Sequence, residues 1–175
     1  MYLVSIYFDE QTDKRIRQYI NQIARRSGNT YMIDGNIPPH ITISAFETNR
    51  ESEAIALLEQ RLSNFKQGTL QWAGVGVFFP HVIYLEPVLN TYLQELSVRV
   101  YESIKGIEGI SIRECYKPYG WLAHTTLGKR LSKAEMLTAF QVLQESFGMI
   151  TGKVVRVGLA KTNPYRDIIS WDLSE

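Results

Sequence analysis

The strongest constraint on the fold is an order of elements that runs twice through the 175 residues. "LVSIYF" (3–8) is a short β-rich run closed by Asp9 and Glu10. A helix follows, with Thr12 placed to cap its start, Ile16, Ile20 and Ile23 at helical spacing, and Gly28 where a C-terminal cap falls. "HITISAF" (40–46) returns to strand character. From Ser52, the residues Ile55, Leu58, Leu62 and Phe65 stripe a second helix, and "GTLQWAGVGVFF" (68–79) is a glycine-rich strand with room for a bulge or bend. The second half repeats the order. "VIYLEP" (82–87) is a strand, and Asn90 caps a helix that turns Leu93, Leu96, Val100 and Ile104 to one face. "WLAHTTLG" (121–128) is a strand. Ser132 and Glu135 form a capping box opening a helix with Met136, Phe140, Leu143 and Phe147 inward and Gly148 after it. "KVVRVGLAK" (153–161) and "DIISWDL" (167–173) close the chain as strands.

Equivalent places recur at similar offsets: His40 and His124 are 84 apart, Thr12 and Thr91 are 79 apart, and Ser52 and Ser132 are 80 apart. The repeat is one of pattern, since few residues are identical between the halves. Two strand-helix-strand-helix-strand units packed as lobes about a pseudo-twofold axis bring equivalent strands, and their histidines, toward a common cleft. The expected fold is therefore α+β, a single domain over 1–175 with lobes at approximately 1–80 and 81–175, exchange of terminal strands being compatible with the pattern.

Nineteen Lys plus Arg against eighteen Asp plus Glu leave a net charge of +1, so no overall field marks a long nucleic-acid track or an anionic membrane. A small anionic ligand needs only a few well-placed groups. Cys115 is the only cysteine, which excludes an internal disulfide and a CxxC pair and suits a reducing cytosol. No signal-peptide pattern opens the chain, and no apolar run approaches the roughly 20 residues of a membrane span. A cytoplasmic, monomeric protein without a membrane partner is expected.

Two of the three histidines stand in one pattern, His-x-Thr-apolar: His40-Ile41-Thr42-Ile43 and His124-Thr125-Thr126-Leu127. Side chains alternate along a strand, so each imidazole shares a face with a hydroxyl while Ile41, Ile43 and Leu127 anchor the other face. Two imidazoles facing one another with two hydroxyls suit phosphate-ester chemistry. One neutral ring accepts a proton from the attacking oxygen, one protonated ring gives a proton to the leaving oxygen, and the hydroxyls donate to the non-bridging oxygens. Either histidine fits either role.

At these residues the sequence resembles the 2H phosphoesterase superfamily, most closely its RNA 2',3'-cyclic phosphodiesterase branch, also called the 2'-5' RNA ligase family. "PPHITI" and "HTTLGKR" are similar to its two H-x-[ST]-hydrophobic signatures, and the likeness runs over nearly the whole chain. The resemblance implies a bilobal α+β fold, each lobe an antiparallel sheet with helices on its outer face around a water-filled cleft. It also implies catalytic His40 and His124, phosphate-binding Thr42 and Thr126, and no metal or other cofactor. Thr125 departs from the family pattern, in which an apolar residue is more usual at the x position; alternation leaves Thr126 facing the phosphate. The implied activity is hydrolysis of 2',3'-cyclic phosphates at an RNA terminus or on a nucleotide, with precedent for 2'-phosphate products. A 2'-5'-linked oligoadenylate, a cyclic phosphate of ADP-ribose, or a nucleotide- or RNA-binding role without turnover are the alternatives.

Around the second signature, Lys129 and Arg130 are further candidates to neutralise a phosphate, and Tyr119 to contact it or stack a base, while Trp121 is out of phase with His124 and reads as core. Tyr165 and Arg166, from a turn before the last strand, are weaker candidates. His81 has Ile83 where a hydroxyl is required and reads as a loop or strand-edge residue. A zinc site of His40, His81 and His124 lacks any supporting spacing, and "GVGVFF" lacks the third glycine of a dinucleotide fingerprint.

Overall fold

Alternation along the strands sets the architecture. In the computed structural model, which describes residues 1–162 and 165–175, strand β1 (Tyr2–Phe8) turns Tyr2, Val4, Ile6 and Phe8 into the main apolar core and leaves Ser5 and Tyr7 on its other face. β4 (Val82–Pro87) does the same, with Ile83 and Leu85 inward and Tyr84 and Glu86 opposite. The core against these faces is closed by helices α1 (Glu10–Ser27), α3 (Glu51–Leu62), α4 (Thr91–Ile104) and α5 (Lys133–Ser146). The remaining strands are β2 (Ile41–Glu47), β3 (Gly68–Phe78), β5 (Ser111–Ile112), β6 (Thr125–Gly128), β7 (Ile150–Lys161) and β8 (Arg166–Asp172), and a one-turn helix α2 spans Tyr31–Asp34.

The strands form an antiparallel sheet in the order β5-β2-β1-β7-β3-β4-β6, with β8 also on β7. They do not pair by sequence half. β3 of the first half pairs with β4 and β7 of the second, and β7 pairs with β1 through its Val154–Lys161 segment and with β3 through Ile150–Val154. Exchanging β1, α1, β2, α3, β3 for β4, α4, β6, α5, β7 carries these pairings into one another: β1–β2 becomes β4–β6, β1–β7 becomes β4–β3, and β3–β7 maps onto itself. The helix contacts obey the same exchange, α1 on α5 becoming α4 on α3.

Most helix ends follow the sequence signals. Gly28 is left-handed and closes α1, Asn90 accepts from the Leu93 amide, and Ser132 and Glu135 make the reciprocal capping box. Two expectations change. Asp9 rather than Thr12 caps α1: its carboxylate accepts from the Thr12 amide and hydroxyl, and Thr12 is buried against β7 at Gly152. The inward stripe of α5, which packs on α1 and β4, is Met136, Ala139, Val142 and Leu143, and Phe140 is exposed. α5 ends at Ser146 with Phe147 as its cap residue, and Gly148 follows it as expected. Asn163 and Pro164, of the turn expected before β8, lie outside the described residues; Arg166 opens β8 itself.

Candidate active site

The two signatures fold alike. His40 immediately precedes β2 and His124 immediately precedes β6, so the strand expected to begin at Trp121 is the shorter Thr125–Gly128. In each copy the imidazole Nδ1 lies on the carbonyl two residues back, 2.8 Å from Pro38 O for His40 and 2.9 Å from Leu122 O for His124. A carbonyl only accepts, so both rings carry a proton on Nδ1 and leave Nε2 to exchange protons with a ligand.

Burial pulls both imidazoles below the ordinary histidine value, against the raising effect of the Pro38 and Leu122 carbonyls. His40 is lowered further by the charges of His124 and Lys129, which places the two candidate rings and this lysine within electrostatic reach of one another. A charge on His124 therefore opposes a charge on His40, with burial the larger cause.

The threonines divide as alternation requires. Thr125 is fully buried and its hydroxyl accepts from the indole of Trp72 at 3.1 Å in the core. Thr126 is half-buried on the opposite face, in register with Tyr84. In the first copy Ile41 and Ile43 are buried in the core and Thr42, also buried, sits between them on the other face, in register with Ser5.

Each imidazole has an aromatic neighbour that sequence reasoning did not single out. Tyr7 lies 6.3 Å from His40 between ring centres, and Tyr84 lies 5.4 Å from His124, which also meets the edge of Phe78 at 4.8 Å. Both tyrosines lie across a glycine of the adjoining strand. A Cβ on Gly76 would stand 2.4 Å from the Tyr84 ring, and one on Gly158 would stand 2.8 Å from the Tyr7 ring. The available signal was a tyrosine out of phase with the apolar residues of its strand together with a glycine in a partner strand, which becomes visible only once the pairing is known.

The accessory candidates scatter. Lys129 and Arg130 flank Tyr31 of α2, with the Arg130 guanidinium 4.8 Å from that ring, and of the two it is Lys129 whose charge reaches His40. Tyr119 is exposed in a groove along α4 lined by Arg61, Gln94 and Val98, whose lining includes neither His40 nor His124. Trp121 is buried. His81 clasps Leu131, its Nδ1 on the Leu131 carbonyl at 2.8 Å and its own carbonyl accepting from the Leu131 amide. The Tyr165 hydroxyl donates to Asp167, and Arg166 is exposed. Among the described residues no three His, Cys, Asp or Glu side chains are grouped to hold a metal ion, and no helix is long and apolar enough to cross a membrane.

The 2'-5' RNA ligase superfamily matches the chain over residues 11–166. Among solved structures, a phosphoesterase superposes with a TM-score of 0.67 at 16% identity, covering 99% of this chain and 98% of that one. LigT of E. coli in complex with 3'-AMP gives 0.66 at 14% identity, covering 99% and 98%; LigT is also solved with ATP, with phosphate and with NADP+. A protein of Thermus thermophilus, TT0787, gives 0.63 at 15% identity, covering 98% and 97%. At these identities the structures share the fold. No curated protein gives a significant match.

Proposed function

Because the chain belongs to the 2'-5' RNA ligase superfamily, the 2H phosphoesterases, we propose that it is a metal-independent phosphodiesterase that opens 2',3'-cyclic phosphates at RNA ends or on nucleotides, leaving 2'-phosphates. The superfamily is one of phosphoesterases and RNA ligases. One observation carries the finer reading: two imidazoles, each pinned through Nδ1 to the carbonyl two residues back and each packed beside a tyrosine on the sheet face opposite the core. The nucleotide and phosphate complexes of LigT support a ligand of this class. The net charge of +1 suits an RNA end over a long footprint.

The cyclic phosphate sits between His40 and His124 in this reading, with Thr42 and Thr126 donating to its non-bridging oxygens and Lys129 adding positive charge. Nε2 of the neutral ring takes a proton from water as the water oxygen bonds to phosphorus. The bond from phosphorus to the ribose 3' oxygen breaks, and Nε2 of the protonated ring gives that oxygen its proton. The monoester stays on the 2' oxygen, and the two histidines end with their protonation exchanged.

Turnover of adenosine 2',3'-cyclic phosphate in EDTA tests this. It should persist, and His40→Ala or His124→Ala should lower kcat/KM by about 10²- to 10⁴-fold; full activity in either variant overturns the reading. Since both imidazoles are held below their usual value of about 6.5, the neutral-neutral form dominates the free protein at pH 7. kcat/KM should therefore rise as the pH falls toward the lowered values, where one ring gains a proton, and fall again when both are charged. A maximum on the alkaline side of pH 7 would contradict this pairing.

A further inference from the structure

The sheet face that carries Tyr7 has His40 on one side of that ring and, on the other, a charged group the proposed reaction does not use. Arg156 of β7 is in register with Tyr7, and its guanidinium lies 4.8 Å over the Tyr7 ring. Among the described residues it forms no ion pair, and its Nε is buried without a hydrogen-bond partner. It lines a cavity of about 270 Å³ with Tyr7, Pro38, Gly158, Asp167 and Ser170. Pro38 is the residue whose carbonyl holds His40, so the cavity adjoins the proposed reacting centre, one aromatic ring away from it.

An arginine fork in no ion pair among the described residues, braced on an aromatic face with its Nε buried, fits a phosphate, whose oxygens it can meet in pairs, although Asp172 stands in register with it across β8. Asp167 shares the cavity and opposes an anion at its own end. One of its oxygens already accepts from Tyr165, and the other is left to accept from a ribose hydroxyl or a base amino group. We propose that the Arg156 cavity is a second phosphate subsite, which takes the phosphate on the 5' carbon of the ribose whose cyclic phosphate reacts. In an RNA end that group is the link to the preceding nucleotide; in a free nucleotide it is the 5'-phosphate. The proposal rests on the reading of His40 and His124 given above and deepens it. A substrate bearing this second phosphate is preferred over a plain nucleoside cyclic phosphate.

Calorimetric binding of unreactive 2'-phosphates tests the subsite without turnover. The full-length protein should bind adenosine 2',5'-bisphosphate about tenfold or more tightly than adenosine 2'-monophosphate. In Arg156→Gln the ratio should fall to about two or less, and Arg156→Lys, which keeps the charge and loses the fork, should fall between. Because each ratio is taken within one variant, a loss of folded protein does not mimic the effect. A ratio near one in the wild type, an unchanged ratio in Arg156→Gln, or no binding of either compound overturns the proposal. A dinucleotide ending in a 2'-phosphate separates the sources. An Arg156-dependent gain with it supports an RNA end, and a gain confined to the bisphosphate supports a free nucleotide. An Arg156-dependent preference in a protein that opens no cyclic phosphate would refute the proposed reaction and leave the subsite standing.

Discussion

Thr125 and Thr126 are adjacent, chemically identical, and face opposite ways. Thr125 satisfies the indole of Trp72 in the core, while Thr126 stands on the open face beside Tyr84. Thr125→Val should leave a buried N–H unpaired, costing about 1–3 kcal/mol in unfolding free energy with little change in turnover by the remaining folded protein. Thr126→Val should keep the stability and lower kcat/KM by about 10²-fold, as the loss of one donor to a developing charge does. Denaturant midpoints and cyclic-phosphate kinetics on the two variants check this, and the reverse pattern would contradict the face assignment. This distinction was legible in the sequence, because the two-residue period of a strand needs no tertiary knowledge. The surroundings of Lys129 and Arg130 were not. Both follow the same strand, and the placement of Tyr31 beside them depends on α2 meeting β6 in space.

At the scale of elements, the long amphipathic helices and apolar strands were readable from period and caps, and the departures share a cause in packing. α2 and β5 are too short for a periodic signal, and the inward stripe of α5 takes in Ala139 rather than Phe140, a choice made by how α5 sits on α1 and β4. β3 shows what such contacts do for the candidate site. Gly76 lets the Tyr84 ring cross the strand, and that ring, 5% exposed, packs between Phe78 and His124. Gly76→Ala puts a methyl where the ring lies, so the ring must move and His124 loses its neighbour. The expected result is a loss of about 1–3 kcal/mol in stability and a lower kcat/KM in the protein that remains folded. Gly106→Ala, where an added methyl meets nothing within 4 Å, should change neither by a measurable amount. Chemical denaturation of the two variants, followed by kinetics, separates the outcomes; equal tolerance of both substitutions would mean that Tyr84 yields freely and does not brace His124.

The whole molecule answers a question that the repeated order posed and left open, which is whether the two halves are separable bodies. In the sheet each half lends its third strand to the other. Among the described residues β3 pairs with β4 and β7 alone, and β7 takes β1 and β3 as well as β8. Residues 1–80 alone would therefore keep the β1–β2 pair and present β3 with no partner strand, leaving Leu70 and Trp72, both fully buried in the intact chain, exposed to water. Burial of each such side chain stabilises by about 1.5–3 kcal/mol, a large part of the 5–15 kcal/mol by which a whole domain is stable. Residues 81–175 alone would keep β4–β6 and β7–β8 and lose both neighbours that cover β7 from the other half. Each fragment expressed alone should show weak, non-cooperative unfolding and poor amide protection. Mixed or co-expressed, the two should regain a cooperative transition, because the missing strands are supplied in trans. Turnover should return with that transition if His40 and His124 act as a pair, since each fragment carries one of them. A fragment that folds cooperatively by itself would show that the third strands are dispensable, and a mixture that recovers the fold without turnover would place the proposed chemistry, rather than the topology, in error.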